Sequence, residues 1–386
     1  MKQGSWLVPL IAIGALCAGT KQSLALPYVQ ANLVSDIAGL AALTDTQLKN
    51  PWGMSESATS PFWISNQGAN TSTLYTITGS TSVSKVNINP PSGFVAIPTT
   101  ASGPQGPTGQ VSNSNTSSFL VGGGGNGQTA HFIFANLNGT ISAWDTGPSS
   151  FIQATTPGAV YTGLAINSAQ TRLYAANGAG SGSINVFDSS FAPVVLGAAS
   201  FVDPNLPKGF VPFNIQNIGG KLYVTYAPAG RDNQTGATSG RGFVDVFDEN
   251  GALLERLISR GELAAPWGLA LAPAGFGVFG GDLLVGNFSF GESEINAFDP
   301  GSGAFEGTIP IDTGANMPGG LWGLSFGNGG SGGDPNTLYF NDGVNGERDG
   351  LFAAITVAAP EPSTLMLLAG ALTLLGIRRV KRQPRI

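Results

Sequence analysis

The sequence predicts an all-β protein, and within that class a six-bladed propeller. Two observations carry the expectation. A repeat of about 55 residues runs through most of the 386-residue chain, and such a period is the signature of a cyclic or stacked array. Charged side chains are 10% of the residues and glycines number 57, against roughly 25% and 7% in ordinary soluble domains. Few charges with abundant Gly, Asn, Ser and Thr suit short strands joined by tight turns.

The repeat is visible in "PWGMSESATSPFWISN" from residue 51, "PWGLALAPAGFGVFGGDLLVGN" from 266 and "LWGLSFGNGGSGGDPNTLYFND" from 321. Weaker copies read "PTGQVSNS" from 107, "YTGLAINSAQTRLYAAN" from 161 and "FVPFNIQNIGGKLYVTY" from 210. Anchors at Trp52, Thr108, Thr162, Pro212, Trp267 and Trp322 are 56, 54, 50, 55 and 55 residues apart. Each unit reads as strand a ("WGLAL"), a turn, strand b ("LLVGN"), a loop, strand c ("INAFD") and strand d ("FEGTI"). Six units of four strands make a six-bladed propeller spanning 26–357. A single blade cannot bury both faces, so the ring must close. The sixth unit has no fourth strand of its own. The spare N-terminal strand at 28–36, "YVQANLVSD", is expected to fill that place.

This pattern is similar to NHL and YncE-like propellers, over about residues 50–355. The resemblance implies the fold and lends no activity. The chain as a whole also resembles PEP-CTERM proteins with an "NLVSD…NPWG" opening.

Charge separates the body from its ends. Between residues 26 and 359 there are 10 basic and 22 acidic side chains, an acidic balance unsuited to nucleic acid, which needs a cationic surface. Residues 1–25 carry one lysine near the start, an apolar run from Trp6 to Ala18, and Ser23-Leu24-Ala25 at the end. That layout predicts a signal peptide cleaved after Ala25, and so the Sec machinery and signal peptidase as partners. An uncleaved anchor is the alternative, but the run is short for a spanning helix. Cys17 is the only cysteine and leaves with the leader, so no disulfide is expected.

At the other end, "PEPSTLMLLAGALTLLGIRRVKRQPRI" (360–386) joins a proline-bracketed triplet to an apolar run and a basic tail. A short transmembrane helix at 363–377 is expected, with Arg378, Arg379, Lys381 and Arg382 as its cytoplasmic stop and the body outside. This three-part segment, 358–386 with its lead-in, resembles the PEP-CTERM sorting signal of Gram-negative bacteria that make exopolysaccharide. The resemblance implies recognition of Pro360, Glu361 and Pro362 by a membrane-embedded exosortase, passage through the inner membrane, and delivery to the cell surface or beyond. The prolines keep the triplet extended and outside the helix.

Antiparallel geometry places the start of strand a and the end of strand b at one edge of a blade. Trp52, Trp267 and Trp322 open strand a; Asn66, Asn136, Asn177, Asn287 and Asn341 close strand b, with Tyr226 there in unit four. Both sets are expected around one mouth of the central channel, where carboxamides and indoles suit a polysaccharide or a calcium ion. The plainer reading makes Asn a turn former and Trp an inter-blade wedge. Asp145, Asp188, Asp248 and Asp299 end strand c before turns and read as turn formers.

Catalysis has little in its favour. His131 is the single histidine, which excludes multi-histidine metal sites. "GGGGNG" (122–127) lacks the Lys-Ser/Thr pair of a phosphate loop. Glu56 is expected near the same face as the tryptophans, as the acid of a lactonase-type metal site, but no quartet of ligands declares itself around it. A non-enzymatic binding or structural module is therefore expected, no cofactor required, with a metal-dependent hydrolase or lactonase of the same fold as the alternative.

Overall fold

A computed structural model describes residues 28–88, 91–100 and 103–358. The leader, the Pro360–Pro362 triplet, the apolar run 363–377 and the basic tail lie outside the described residues. Among the described residues no helix is long and apolar enough to cross a membrane.

Six antiparallel sheets follow one another along the chain as the blades of a propeller. Blade 1 runs from Pro51–Ser55 through Phe62–Asn66 and Thr71–Thr78 to Ser82–Lys85. Blades 2 to 5 begin at Pro107–Ser112, Tyr161–Ile166, Phe210–Ile218 and Pro266–Leu271. Blade 6 holds Leu321–Phe326, Leu338–Asp342 and Leu351–Val357. Its fourth place is taken by Tyr28–Ser35, which lies antiparallel to Leu351–Val357 with Tyr28 opposite Val357.

Burial explains the strand sequences. The second strand of a blade is covered on both faces, by the blade before and the blade after. Every residue of Phe62–Asn66, Phe132–Asn136 and Leu283–Asn287 is accordingly buried. Outer strands such as Phe151–Thr155 and Phe305–Pro310 are half-exposed and more polar. Between neighbouring blades, apolar side chains interleave into separate clusters, for example Ile133, Ala135, Ile141, Leu164 and Leu173 between blades 2 and 3. Each buried side chain of this kind contributes roughly 1.5–3 kcal/mol.

The innermost strands share one irregularity. In every blade the register with the second strand slips near the start of the innermost strand: after its first residue at Pro51, Pro107, Tyr161, Pro266 and Leu321, and after its third, Pro212, in blade 4. A bulge of this kind bends its strand and re-aims side chains. It also fixes the true equivalences. The residue after the slip point in blade 4 is Phe213, so Phe213, and not Pro212, stands where Trp52, Trp267 and Trp322 stand.

The next residue is a point of close approach between neighbouring blades. It is glycine in five blades, and a Cβ there would reach 2.5 Å from Thr108 O at Gly53, 2.2 Å from Leu164 N at Gly109, and 2.4 Å from Trp322 O at Gly268. Gly163 and Gly323 face the following blade in the same way, at 2.3 Å from Asn214 Oδ1 and 2.8 Å from Trp52 O. Blade 4 has Asn214 instead, and its carboxamide donates to Trp267 O at 2.8 Å. Backbone of one blade thus packs directly on backbone of the next around the axis.

Ring closure is reinforced beyond the strand ladder. Ser35 Oγ donates to Gly350 O at 2.6 Å, and Gly350 N donates to Asp36 Oδ1 at 2.7 Å. Lys49 bridges Asp36 and Asp349. Tyr28 extends the clasp to blade 5, its hydroxyl donating to Phe276 O at 2.7 Å.

Candidate functional site

The bulge turns the residue before each axial glycine inward, and four blades place an aromatic there. Trp52 stacks on Trp322 with ring centroids 3.5 Å apart, and Trp267 stands edge-on to both at 6.3 and 5.5 Å. Phe213 and Phe288 complete the cluster against Trp322. All five are buried. Together they divide the axial channel into two chambers. Blades 2 and 3 carry Thr108 and Thr162 at the same position, and the cluster has a gap on that side.

The upper chamber opens from this gap, a cavity of about 360 Å³ lined by Asn50, Trp52, Gln67, Thr162, Phe213 and Arg231, among others. Two long loops fold over it. They are the connections between second and third strands in blades 4 and 6, from Pro228 to Phe243 and from Asp342 to Leu351; other blades make the same connection tightly, as from Asn136 to Thr140. The blade 4 loop forms one helical turn, Arg231–Thr235. It lays the Arg231 guanidinium over the rings of Phe288, Trp322 and Trp52, at 4.2, 5.4 and 5.7 Å. The blade 6 loop supplies Glu347, which pairs with Arg231.

Glu347 is held under backbone strain. Asn345, Gly346 and Glu347 all have positive φ, 55°, 65° and 67°, a region costly for residues with a Cβ. Asn50, at φ 44°, joins the pieces. It donates to Gln67 Oε1 at 2.7 Å and Glu347 Oε1 at 3.1 Å, and accepts from Trp322 Nε1 at 3.0 Å. Trp52 Nε1 is buried without a hydrogen-bond partner.

The asparagines expected at this mouth have structural employment. Asn66 donates to Thr73 Oγ1 at 3.0 Å, Asn136 to Thr140 Oγ1 at 3.1 Å, and Asn177 accepts from Val160 N at 3.0 Å. Asn287 accepts from Ala264 N at 2.9 Å and donates to Glu262 O at 2.8 Å. Asn341 donates to Trp52 O at 3.1 Å. The register moves one equivalence: Asp342 faces Leu321 as Asn287 faces Pro266. Asp342 is therefore the blade 6 member of the asparagine ring. It is fully buried, neither oxygen has a partner, and burial pushes its carboxyl up to about 7.

The lower chamber, about 300 Å³, lies at the far ends of the innermost strands beneath Trp267. Glu56 lines it. Glu56 and Trp52 thus occupy opposite ends of one strand, so the acid lies away from the tryptophan mouth. Enclosure by protein pushes its carboxyl up to about 8, against the pull of the Ser325 hydroxyl, which donates to Glu56 Oε1 at 3.1 Å. Among the described residues no three His, Cys, Asp or Glu side chains converge as metal ligands. Asp188 and Asp299 accept from the backbone of their own turns, and Asp248 does the same. His131 lies beside Trp144.

Fold and channel define a six-bladed β-propeller whose axis is split by an aromatic layer into two chambers. No family model matches the sequence. Two uncharacterised proteins of Acanthamoeba polyphaga mimivirus are similar to it: one 33% identical, covering 69% of this chain and 66% of the relative, the other 31% identical, covering 73% and 74%. The chain belongs to one family with these viral proteins. Among solved structures it is similar to hydrazine synthase of Kuenenia stuttgartiensis, with TM-score 0.46, 16% identity and coverage of 79% and 76%. A structural-genomics target provisionally assigned as a gluconolactonase gives TM-score 0.40 and 19% identity, covering 59% of this chain and 74% of that one.

Proposed function

We propose that the protein is an exported binding module that takes a saccharide segment, such as part of an exopolysaccharide, in the upper chamber. The observation that carries this reading is the chamber itself. An indole wall, the three carboxamides of Asn50, Gln67 and Gln234, and a guanidinium–carboxylate pair surround a space suited to one or two sugar rings. Sugars offer apolar faces for aromatics and hydroxyls for planar polar groups, and pockets of this size with few fixed polar groups are the usual form of small-ligand sites. The positive-φ residues Asn50 and Glu347 support it, because strain of that kind gathers at ligand clamps.

The sorting tail gives the reading its location. An exosortase acting at Pro360–Pro362 would deliver the propeller to the envelope or the surrounding matrix, where polysaccharide is the abundant partner.

The gap left by the two threonines supplies the test. Thr162→Trp places a fourth indole where the chamber opens, while the inter-blade backbone contacts stay as they are. Titration of oligosaccharides into the protein, followed by tryptophan fluorescence, is expected to show saturable binding in the parent and at least a tenfold loss in Thr162→Trp. Binding that survives the filled chamber, or no binding across a panel of neutral and acidic oligosaccharides, would sink the reading.

A further inference from the structure

Most polar groups in the wall of the upper chamber are already engaged. Asn50 donates to Gln67 and Glu347 and accepts from Trp322 Nε1. Gln67 accepts from Asn50 and donates to Gln105 O at 2.7 Å. Thr162 Oγ1 donates to Ala176 O at 3.4 Å. Gln234 differs. It is 8% exposed and lines the chamber, yet its carboxamide makes no hydrogen bond among the described residues. Neither of its amide atoms is sealed off by protein. The helical turn that carries it is satisfied without that amide: Gln234 N donates to Gly230 O and Gln234 O accepts from Ala237 N, both at 3.2 Å. Asn233 and Thr235 turn their side chains back on the loop, to Ala229 O and Asp232 O. A polar group so buried is costly to leave unpaired, and one that opens on a chamber is placed to orient a ligand.

The chamber is also electrically balanced. Its charged lining among the described residues is Arg231 and Glu347, which pair with each other. Arg231 lies over the rings of Phe288, Trp322 and Trp52, the faces that a cationic ligand would need. An anionic ligand would have to displace Glu347 from its cation. It would also approach a body with 22 acidic and 10 basic side chains between residues 26 and 359, whose field opposes it. Neither sign of charge is complemented. What remains is an amide edge with a donor and an acceptor side by side. Two adjacent hydroxyls of a sugar ring match it, one accepting from Nε2 and the other donating to Oε1.

We infer that the upper chamber selects uncharged saccharides, and that Gln234 reads a pair of neighbouring ring hydroxyls there. This rests on the saccharide reading of the same chamber and narrows it. A sugar that lacks either hydroxyl leaves one end of the buried amide unpaired, which is the strongest form of discrimination a polar site has.

Tetrasaccharides of glucose, mannose and galactose, their uronate counterparts and a glucosamine tetrasaccharide are titrated into the full chain, with tryptophan fluorescence as the readout. At least one neutral tetrasaccharide is expected to bind, about tenfold or more tighter than the charged ones. Gln234→Met keeps the side-chain length and removes both amide groups, and is expected to weaken the neutral ligand about tenfold. Analogues of the bound sugar with one hydroxyl deleted in turn separate contact from a merely structural role. For a hydroxyl that meets Gln234, deletion weakens binding to the parent but adds little to the loss in Gln234→Met, as groups in contact are non-additive. Should Gln234→Met fold poorly, the comparison of neutral and charged sugars on the parent decides. Charged sugars that bind as tightly as neutral ones, a folded Gln234→Met with parental affinity, or deletion losses of equal size in parent and variant overturn the inference and leave a saccharide site standing. No binding by any of these sugars removes the inference together with the reading beneath it.

Discussion

Two positions show how much a single atom decides at the axis. At Gly109 a Cβ would lie 2.2 Å from Leu164 N and 2.6 Å from Gly163 C, both backbone atoms of the next blade that cannot turn aside. Gly109→Ala is expected to cost about 2–3 kcal/mol, the upper range for overpacking a close contact. Gly291→Ala, where nothing lies within 4 Å, should be near neutral, and paired thermal melts compare the two. Equal melting temperatures would show that the blades can part at little cost. Asp342 makes the second case. Its carboxyl stays neutral in the fold up to about 7, while in the unfolded chain it ionises at its ordinary, lower value. Between those values the folded state holds one more proton, so stability falls as pH rises, by at most about 1.4 kcal/mol per pH unit. Asp342→Asn restores the residue found at this point in blades 1, 2, 3 and 5. It is expected to flatten that slope and to stabilise the protein at pH 8 while changing little at pH 4. Denaturant unfolding at the two values is the measurement, and an unchanged slope would remove Asp342 as its source.

At the scale of elements, strands and turns were legible and their exact register was not. The run of "WG" and "LY…N" letters marks innermost and second strands because burial on both faces forces apolar sequences there, and a repeated environment selects repeated letters. Matching by letter fails at two positions, each by one residue. Pro212 aligns with tryptophan only if the bulge in blade 4 is ignored, and Asn341 aligns with the other asparagines although Asp342 occupies their place. A shift of one turns a side chain to the opposite face of its sheet, so such an error changes what the residue touches without disturbing the repeat. The aromatic layer followed from the repeat, but its consequence did not. Tryptophans expected at an open mouth instead fill it, and the opening comes from Thr108 and Thr162, where the repeat departs from itself. Arg231 and Glu347 went unnoticed for a related reason. They sit on the two longest of the connections between second and third strands, and the length of the 228–243 and 342–351 connections was the signal of them in the sequence.

For the whole molecule, the defining feature is how the ring is shut. Tyr28 faces Val357 across the final pair of strands, so the first and last described strands run side by side and the two ends of the propeller adjoin. Covalent continuity between blades 3 and 4 is then dispensable, because the noncovalent closure within blade 6 can be exchanged for a peptide link. Opening the chain elsewhere, at the exposed Gly197–Ala198 segment between blades 3 and 4, cuts no sheet. A permuted chain that begins at Ala198, joins residue 358 to residue 28 through a short Gly-Ser linker, and ends at Gly197 is expected to fold. Its melting temperature should lie within a few degrees of the parent's, as chain ends placed in exposed connections are generally tolerated. The axial contacts through Gly53, Gly109, Gly163, Asn214, Gly268 and Gly323 remain complete in this arrangement, and so does the pairing of Tyr28–Ser35 with Leu351–Val357. Circular dichroism and a cooperative melt test it directly. An insoluble product, or one that melts in two steps, would mean that the order in which the blades are connected, and not the closed ring of inter-blade contacts, sets the stability of this protein.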